Sequence, residues 1–187
     1  MGKVVLAMFI SLDGFIEAIG EGGKRRLIPP AYSADVDRYW IKPNTSGAVM
    51  MYGRVCYEGM AAYWTSPAAA PAEAKKLAAM RKLVFSHSLQ KADWANTQIV
   101  RDDIAGTVAA LKAETDGDLI LIGGAGIANA FMRLDLIDEY RLLVTPMLFG
   151  SGTPLFQRER GLTRLALRDA TRLDNGAMLL TYARGGA

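Results

Sequence analysis

The chain has 187 residues, 51% of them hydrophobic and 22% charged, with a formal net charge of +3. That length suffices for one domain with a full core and is short for two. The charge is too small, and the aromatics too separate from the basic residues, for a nucleic-acid-coating surface, and the one cysteine and one histidine exclude an internal disulfide and leave too few ligands for a closed zinc site.

In chain order, MGKVVLAMFISLDG carries an apolar run, Val4 to Ile10, too short for a signal peptide or a membrane span. Leu6 stands where N-myristoylation needs a hydroxyl residue. The expectation is a cytoplasmic protein with no membrane partner, and Cys56 fits a reducing compartment. The run Val4–Ile10 reads as a buried strand ended by the turn SLDG, and residues 20–30, GEGGKRRLIPP, as a loop without periodicity. Ser33 predicts the cap of a short helix toward Ile41 that carries Asp37, Tyr39 and Trp40. Ala48–Tyr52 is a second strand, and GRVCYEGMAAYW a helix opened by Gly53.

PAEAKKLAAM reads as a proline-started helix, KLVFS as a third strand, TQIV as a fourth, and residues 103–114 as a helix with Ile104, Val108 and Leu111 on one face. DLILIGG is a fifth strand and GIANAFMRL the helix after it. The pattern then changes. IDEYRLLVTPMLF reads as one long strand, and two further strands are joined at Asn175-Gly176, a hairpin signal. The whole predicts a single α/β domain over residues 1–187, with a mostly parallel sheet and an antiparallel C-terminal hairpin.

Such sheets bind ligands beyond the carboxyl ends of their strands. Gly123, Gly124 and Gly126 fall at one such end, Gly53-Arg54 at a second, and Ser86-His87-Ser88 at a third. Glycines let backbone N–H groups approach a pyrophosphate, and a guanidinium suits a phosphate. Taken alone, G-G-x-G also fits a plain strand-to-helix corner; three such corners favour a cofactor.

The segments SLDGFIE, GRVCYE, LVFSHSL, LILIGGAGIANAFM and LIDEYRLLVTPMLFGSGTPLF occur in this order and span nearly the whole chain. Together they resemble the dihydrofolate-reductase-like superfamily. Within it they look most like the branch of the C-terminal reductase domain of the bifunctional riboflavin-biosynthesis deaminase/reductase and its stand-alone bacterial relatives. The resemblance implies a three-layer fold and NADPH as cofactor. It places Gly123 and Gly124, joined by a cis peptide, against the pyrophosphate, with Ala125, Gly126 and Ile127 starting the helix above it. It also places Arg54 of the Gly53-Arg54 corner and Ser86 near the adenosine 2′-phosphate, and Ala7 and Ile16 beside the nicotinamide.

For the substrate end the resemblance puts Asp37 and Thr145 on a pterin or aminopyrimidine ring, and Asp13 at the mouth between cofactor and substrate. Read from the residues alone, Asp37 equally fits a solvated helix face and Asp13 an Asp-Gly turn, while a threonine such as Thr145 is more often an ordinary strand residue. LIPPAYSADVD lacks the Pro-Trp element of folate reductases, which turns the expectation away from folate. The deaminase of the bifunctional relatives needs several cysteines and is excluded.

The resulting expectation is an NADPH-dependent oxidoreductase of an aminopyrimidine or pterin-like substrate, a 5-amino-6-(5-phosphoribosylamino)uracil-like compound being the named form. Lys24, Arg25 and Arg26 could meet its phosphate, or be solvated. The rival is a non-catalytic dimeric NADP-binding protein. Arg164 and Arg168, opposite Leu165 and Leu167, fit either solvent or a homodimer surface.

Overall fold

The computed structural model describes residues 2–19, 25–27, 47–157 and 162–185. The predicted helix after Ser33, with Asp37, lies outside the described residues, as does Lys24. The strands are β1 (Val4–Ser11), β2 (Phe15–Ile19), β3 (Arg25–Leu27), β4 (Val49–Gly53), β5 (Arg81–Phe85), β6 (Thr97–Val100), β7 (Leu119–Leu121), β8 (Glu139–Thr145), β9 (Gly152–Pro154), β10 (Leu165–Arg172) and β11 (Met178–Arg184). The described helices are α1 (Arg54–Trp64), α2 (Pro71–Ala79), α3 (Ile104–Glu114) and α4 (Ala125–Arg133).

Eight strands form the main sheet in the order β10-β11-β8-β1-β7-β4-β5-β6. All pairs from β8 to β6 are parallel, and β11 runs against β8 and β10. β1 is central and covered on both faces, which is why its sequence is a continuous apolar run. Val4, Leu6, Met8 and Ile10 face a core with Val108 and Leu111 of α3 and Ala128, Phe131 and Met132 of α4. Ala7 joins Tyr52, Val84, Leu143, Tyr57 of α1 and Trp94 on the other face. Phe85 and Phe131 meet edge to face, centroids 5.3 Å apart.

The progression β4, β5, β6 moves outward, β7 then returns between β1 and β4, and β8 passes to the far side of β1. The carboxyl ends of β1, β4 and β7 therefore gather at a topological switch, where open α/β sheets leave a crevice. At the other side of the sheet, the predicted hairpin closes β10 onto β11 through Asn175-Gly176, with Gly176 at φ +82°.

Three segments depart from the sequence expectation. Residues 20–30 are not all loop: β3 pairs antiparallel with β2, Glu17 opposite Leu27, in a second sheet of order β3-β2-β9. Three residues are too few to show periodicity. The long strand predicted over 137–149 stops at Thr145, because Pro146 has no N–H for the ladder and Met147 turns back onto the Thr145 carbonyl at 2.8 Å. The regularity expected of Arg164 and Arg168 is broken, since β10 begins at Leu165 and a bulge falls between Leu167 and Asp169, at Arg168.

Candidate active site

β4 and β7 are neighbours, so the corners that follow them abut. A Cβ on Gly123 would lie 2.4 Å from Ile127 Cγ2 and 3.3 Å from the Gly53 amide nitrogen, and one on Gly53 would lie 3.1 Å from the same methyl. These two glycines are thus required by contact between the corners, with Ile127 wedged between them. Gly124 and Gly126 differ: a Cβ on either would meet nothing within 4 Å. They front open space.

Gly53 and Gly124 cap α1 and α4, and neither helix has a side-chain cap or an acidic residue in its first turn. By contrast, Asp103 caps α3 by accepting from the Gly106 amide at 2.8 Å. The starts of α1 and α4 leave amide donors and partial positive charge facing the crevice, as a pyrophosphate requires. The donors, first helical turns without an acidic residue, and the open side of Gly124 and Gly126 fit an NADP(H) pyrophosphate. Among the described residues no peptide bond is cis, so the Gly123–Gly124 bond is trans, a correction to the expectation; Gly124 is extended at φ −67°, ψ 169°.

Arg54 lies at this crevice in the first turn of α1, half exposed, with its guanidinium 2.9 Å from Glu58 one turn on. An exposed pair of this kind is worth less than 1 kcal/mol, roughly, and leaves the guanidinium able to turn to a phosphate. Ser86 follows β5; its hydroxyl accepts from the amides of Ser88 and Leu89 at 3.2 and 3.0 Å, which orders the loop. Arg101 fastens the same loop by donating to the carbonyls of His87 and Leu89. His87 itself is exposed, 3.7 Å from Asp102.

Ser11 is buried; its hydroxyl donates to Asp13 at 2.6 Å and accepts from the Phe15 amide at 2.9 Å. The exposed Asp13 carboxylate also accepts from the amides of Phe149 at 3.0 Å and Gly150 at 2.7 Å. The Ser11 hydroxyl foremost, with these amides, holds the Asp13 carboxyl below the usual carboxylate range. Asp13 is therefore an ionised acceptor at the turn after β1. Thr145 is fully buried and donates to the Ile10 carbonyl at 3.2 Å, tying the ends of β8 and β1. Ala7 is buried in β1 and Ile16 partly buried in β2, where it packs on the core. The structure thus gathers Ser11, Asp13, Thr145, Gly53, Arg54, Ser86 and Gly123 to Ile127 along one edge of the sheet.

Sequence reasoning missed Asn129. It is 4% exposed, and its amide donates to the carbonyls of Ala125 at 2.7 Å and Leu155 at 2.8 Å while its oxygen accepts from the Gln157 amide at 3.3 Å. The available signal was an asparagine on the apolar face of GIANAFM. Cys56 and Tyr52 are also near the crevice. The thiol lies 3.3 Å from the Ile122 carbonyl and burial pushes it up to about 11, while burial raises the Tyr52 phenol, whose hydroxyl has no hydrogen-bond partner among the described residues. Two open concavities of about 610 and 660 Å³ lie elsewhere, at the starts of β5 and β6 and of β1 and β8. They are at the opposite edge of the sheet from these residues.

A central parallel sheet with an antiparallel hairpin, a small second sheet, and glycine corners at the carboxyl edge define a dihydrofolate-reductase-like fold. The chain belongs to the RibD C-terminal domain family, which matches residues 2–179. It is similar to the uncharacterized protein YyaP of Bacillus subtilis (strain 168), with 27% identity covering 98% of this chain and 96% of that one. In structure it resembles a putative riboflavin biosynthesis protein from Shewanella sp. PV-4, at TM-score 0.72, 21% identity and full coverage of both chains. It also resembles dihydrofolate reductase from Enterococcus faecalis complexed with NADP(H) and RAB-propyl, at TM-score 0.66 and 14% identity, covering 99% of this chain and 98% of that one. No helix among the described residues is long and apolar enough to cross a membrane.

Proposed function

We propose that this protein is an NADPH-dependent reductase of an aminopyrimidine or pterin-like substrate, a 5-amino-6-(5-phosphoribosylamino)uracil-like compound being the form its family membership favours. The observation that carries the reading is the paired corner at β4 and β7. Gly53 and Gly123 pack the two helix starts together, and Gly124 and Gly126 leave the amide donors of α4 open to a ligand.

When bound, the nicotinamide would supply the hydride. The chain's own residues bind and orient. Gly124, Ala125, Gly126 and Ile127 would present backbone N–H groups to the pyrophosphate, and Arg54, turning from Glu58, would meet the 2′-phosphate with Ser86 beside it. Ala7 and Ile16 would wall the nicotinamide pocket and exclude water. A proton must also reach the substrate, and Asp37 is the residue assigned to hold the ring's N–H donors and deliver it. Thr145 would stand behind that ring. Asp13, already an acceptor for three donors, would stand at the mouth between cofactor and substrate. The assembly proposed is a homodimer.

The test is a fluorescence titration, exciting the tryptophans and following energy transfer to the nicotinamide, with NADPH and NADH in parallel. The expected result is micromolar NADPH binding, about −8 kcal/mol, and weaker NADH binding. Arg54→Ala should erase the difference between the two cofactors. Absence of binding by either would reduce the glycine corner to a structural turn and end the enzyme reading. With binding established, NADPH oxidation that Asp37→Asn leaves unchanged for every substrate tried would end the catalytic assignment of Asp37, and NADPH binding without oxidation by any substrate would favour the rival, a non-catalytic NADP-binding protein.

A further inference from the structure

We infer that residues 147–157 are a strap that positions the cofactor end of the crevice relative to its mouth, with Asn129 and Asp13 as its two positioning residues. The inference rests on the proposed NADPH site. At the mouth, the Leu12 amide donates to the Met147 carbonyl at 2.8 Å and Asp13 receives the Phe149 and Gly150 amides. In the middle, β9 pairs antiparallel with β2, and the Thr153 hydroxyl bonds Glu17. Beyond β9, the Leu155 amide donates to the Gly14 carbonyl at 3.0 Å, and the Leu155 side chain is wholly buried in the core under α4.

The far end is held by Asn129. Its buried amide joins the carbonyl of Ala125, the first residue of α4, to the carbonyl of Leu155 and the amide of Gln157. A buried amide with both donors engaged costs little and fixes geometry; with one partner displaced it is costly. The first turn of α4 and the strap therefore have to move together. Ala125 belongs to the turn whose N–H groups face the pyrophosphate, whereas Asp13 fastens the strap beside the substrate end. Anything that orders the turn at one end orders the strap at the other, and linkage makes that coupling reciprocal.

The experiment is amide hydrogen exchange at Phe149 and Gly150, with and without NADPH, beside NADPH titrations of the wild-type protein and of Asp13→Asn and Asn129→Leu. In the free protein Asp13→Asn should speed exchange at both amides, since an asparagine oxygen cannot replace the paired carboxylate. Saturating NADPH should slow that exchange in the wild type by about fivefold or more, and Asp13→Asn should weaken NADPH binding by a similar factor. In Asn129→Leu the slowing should vanish while NADPH still binds; Asn129→Ser serves the same purpose if the leucine does not fold.

NADPH that binds without slowing these amides overturns the strap. So does slowing that persists in the Asn129 variants, because it would be direct contact. No NADPH binding by the wild type would instead overturn the cofactor site, and the strap as a positioning device with it.

Discussion

At the residue scale, the four glycines of the corners divide by what an added methyl would meet, and the division separates fold from function. Gly123→Ala sets a carbon 2.4 Å from the Ile127 methyl. Overpacking of that kind costs ~1–3 kcal/mol, so the variant should melt earlier than the wild type. Gly126→Ala fills open space in the first turn of α4. There alanine should gain up to about 1 kcal/mol of helix stability, worth about 2–4 °C in a chain of this size. The same methyl would stand between the amides and a pyrophosphate, where losing one charge-assisted hydrogen bond costs about 1.5–3 kcal/mol, at least tenfold in affinity. A variant that melts later and binds NADPH worse is the expected signature, read by calorimetry and titration. Unchanged affinity in Gly126→Ala would move the pyrophosphate off α4.

At the element scale, α2 ends on a lysine the sequence did not announce. Lys82 is 0% exposed, and its ammonium donates to the carbonyls of Leu77 and Met80 at 2.6 Å and Ala78 at 3.3 Å, 4.8 Å over the Trp94 ring. These carbonyls are the orphan acceptors of a helix end, so the cation satisfies what a C-cap glycine otherwise would. Burial pulls its pKa from 10.5 down to about 8. Below both values folded and unfolded chains alike carry the proton. Between them the unfolded chain keeps it and the folded chain releases it. The unfolded state then binds more protons, so this lysine's contribution to stability rises with pH across that window. The difference in unfolding free energy between wild type and Lys82→Met should therefore move in favour of the wild type from about pH 7 to about pH 9.5. A flat difference would mean that the buried ammonium titrates near its ordinary value.

The same elements show which features the sequence carries openly. Continuous apolar strands, a capping Asp103, Pro71 and the turn at Asn175-Gly176 act through local chemistry, so β1, α3, α2 and the hairpin were legible. β2, β3 and β9 were not, because three- and five-residue strands are defined by pairing across distant segments. In the site, the glycine corners were legible because glycine next to a strand end has few uses. Asn129 and Ser11 were not. Each is polar inside an apolar stretch, and its role exists only once Leu155 or Asp13 arrives from elsewhere in the fold.

At the scale of the whole molecule, the main sheet ends at β10, whose outer edge lacks a strand partner among the described residues. An eight-residue edge is a pairing hazard unless something covers or charges it. β10 does both partially: Arg168 stands at the bulge, while Leu165 and Leu167 are 36% and 55% exposed on the face shared with Tyr182. Bulge and arginine alone would protect a solvated edge; leucines repeated at alternate positions fit a surface that a second copy covers. Sedimentation should give twice the 20.2 kDa of the chain. Leu165→Glu with Leu167→Glu should return the mass to one chain with NADPH binding changed less than about threefold, because β10 lies at the far edge from β4 and the corner after β7. A wild-type protein that sediments as one chain at micromolar concentration removes the dimer and leaves Arg168 as edge protection. A double variant that stays dimeric places the interface on another face.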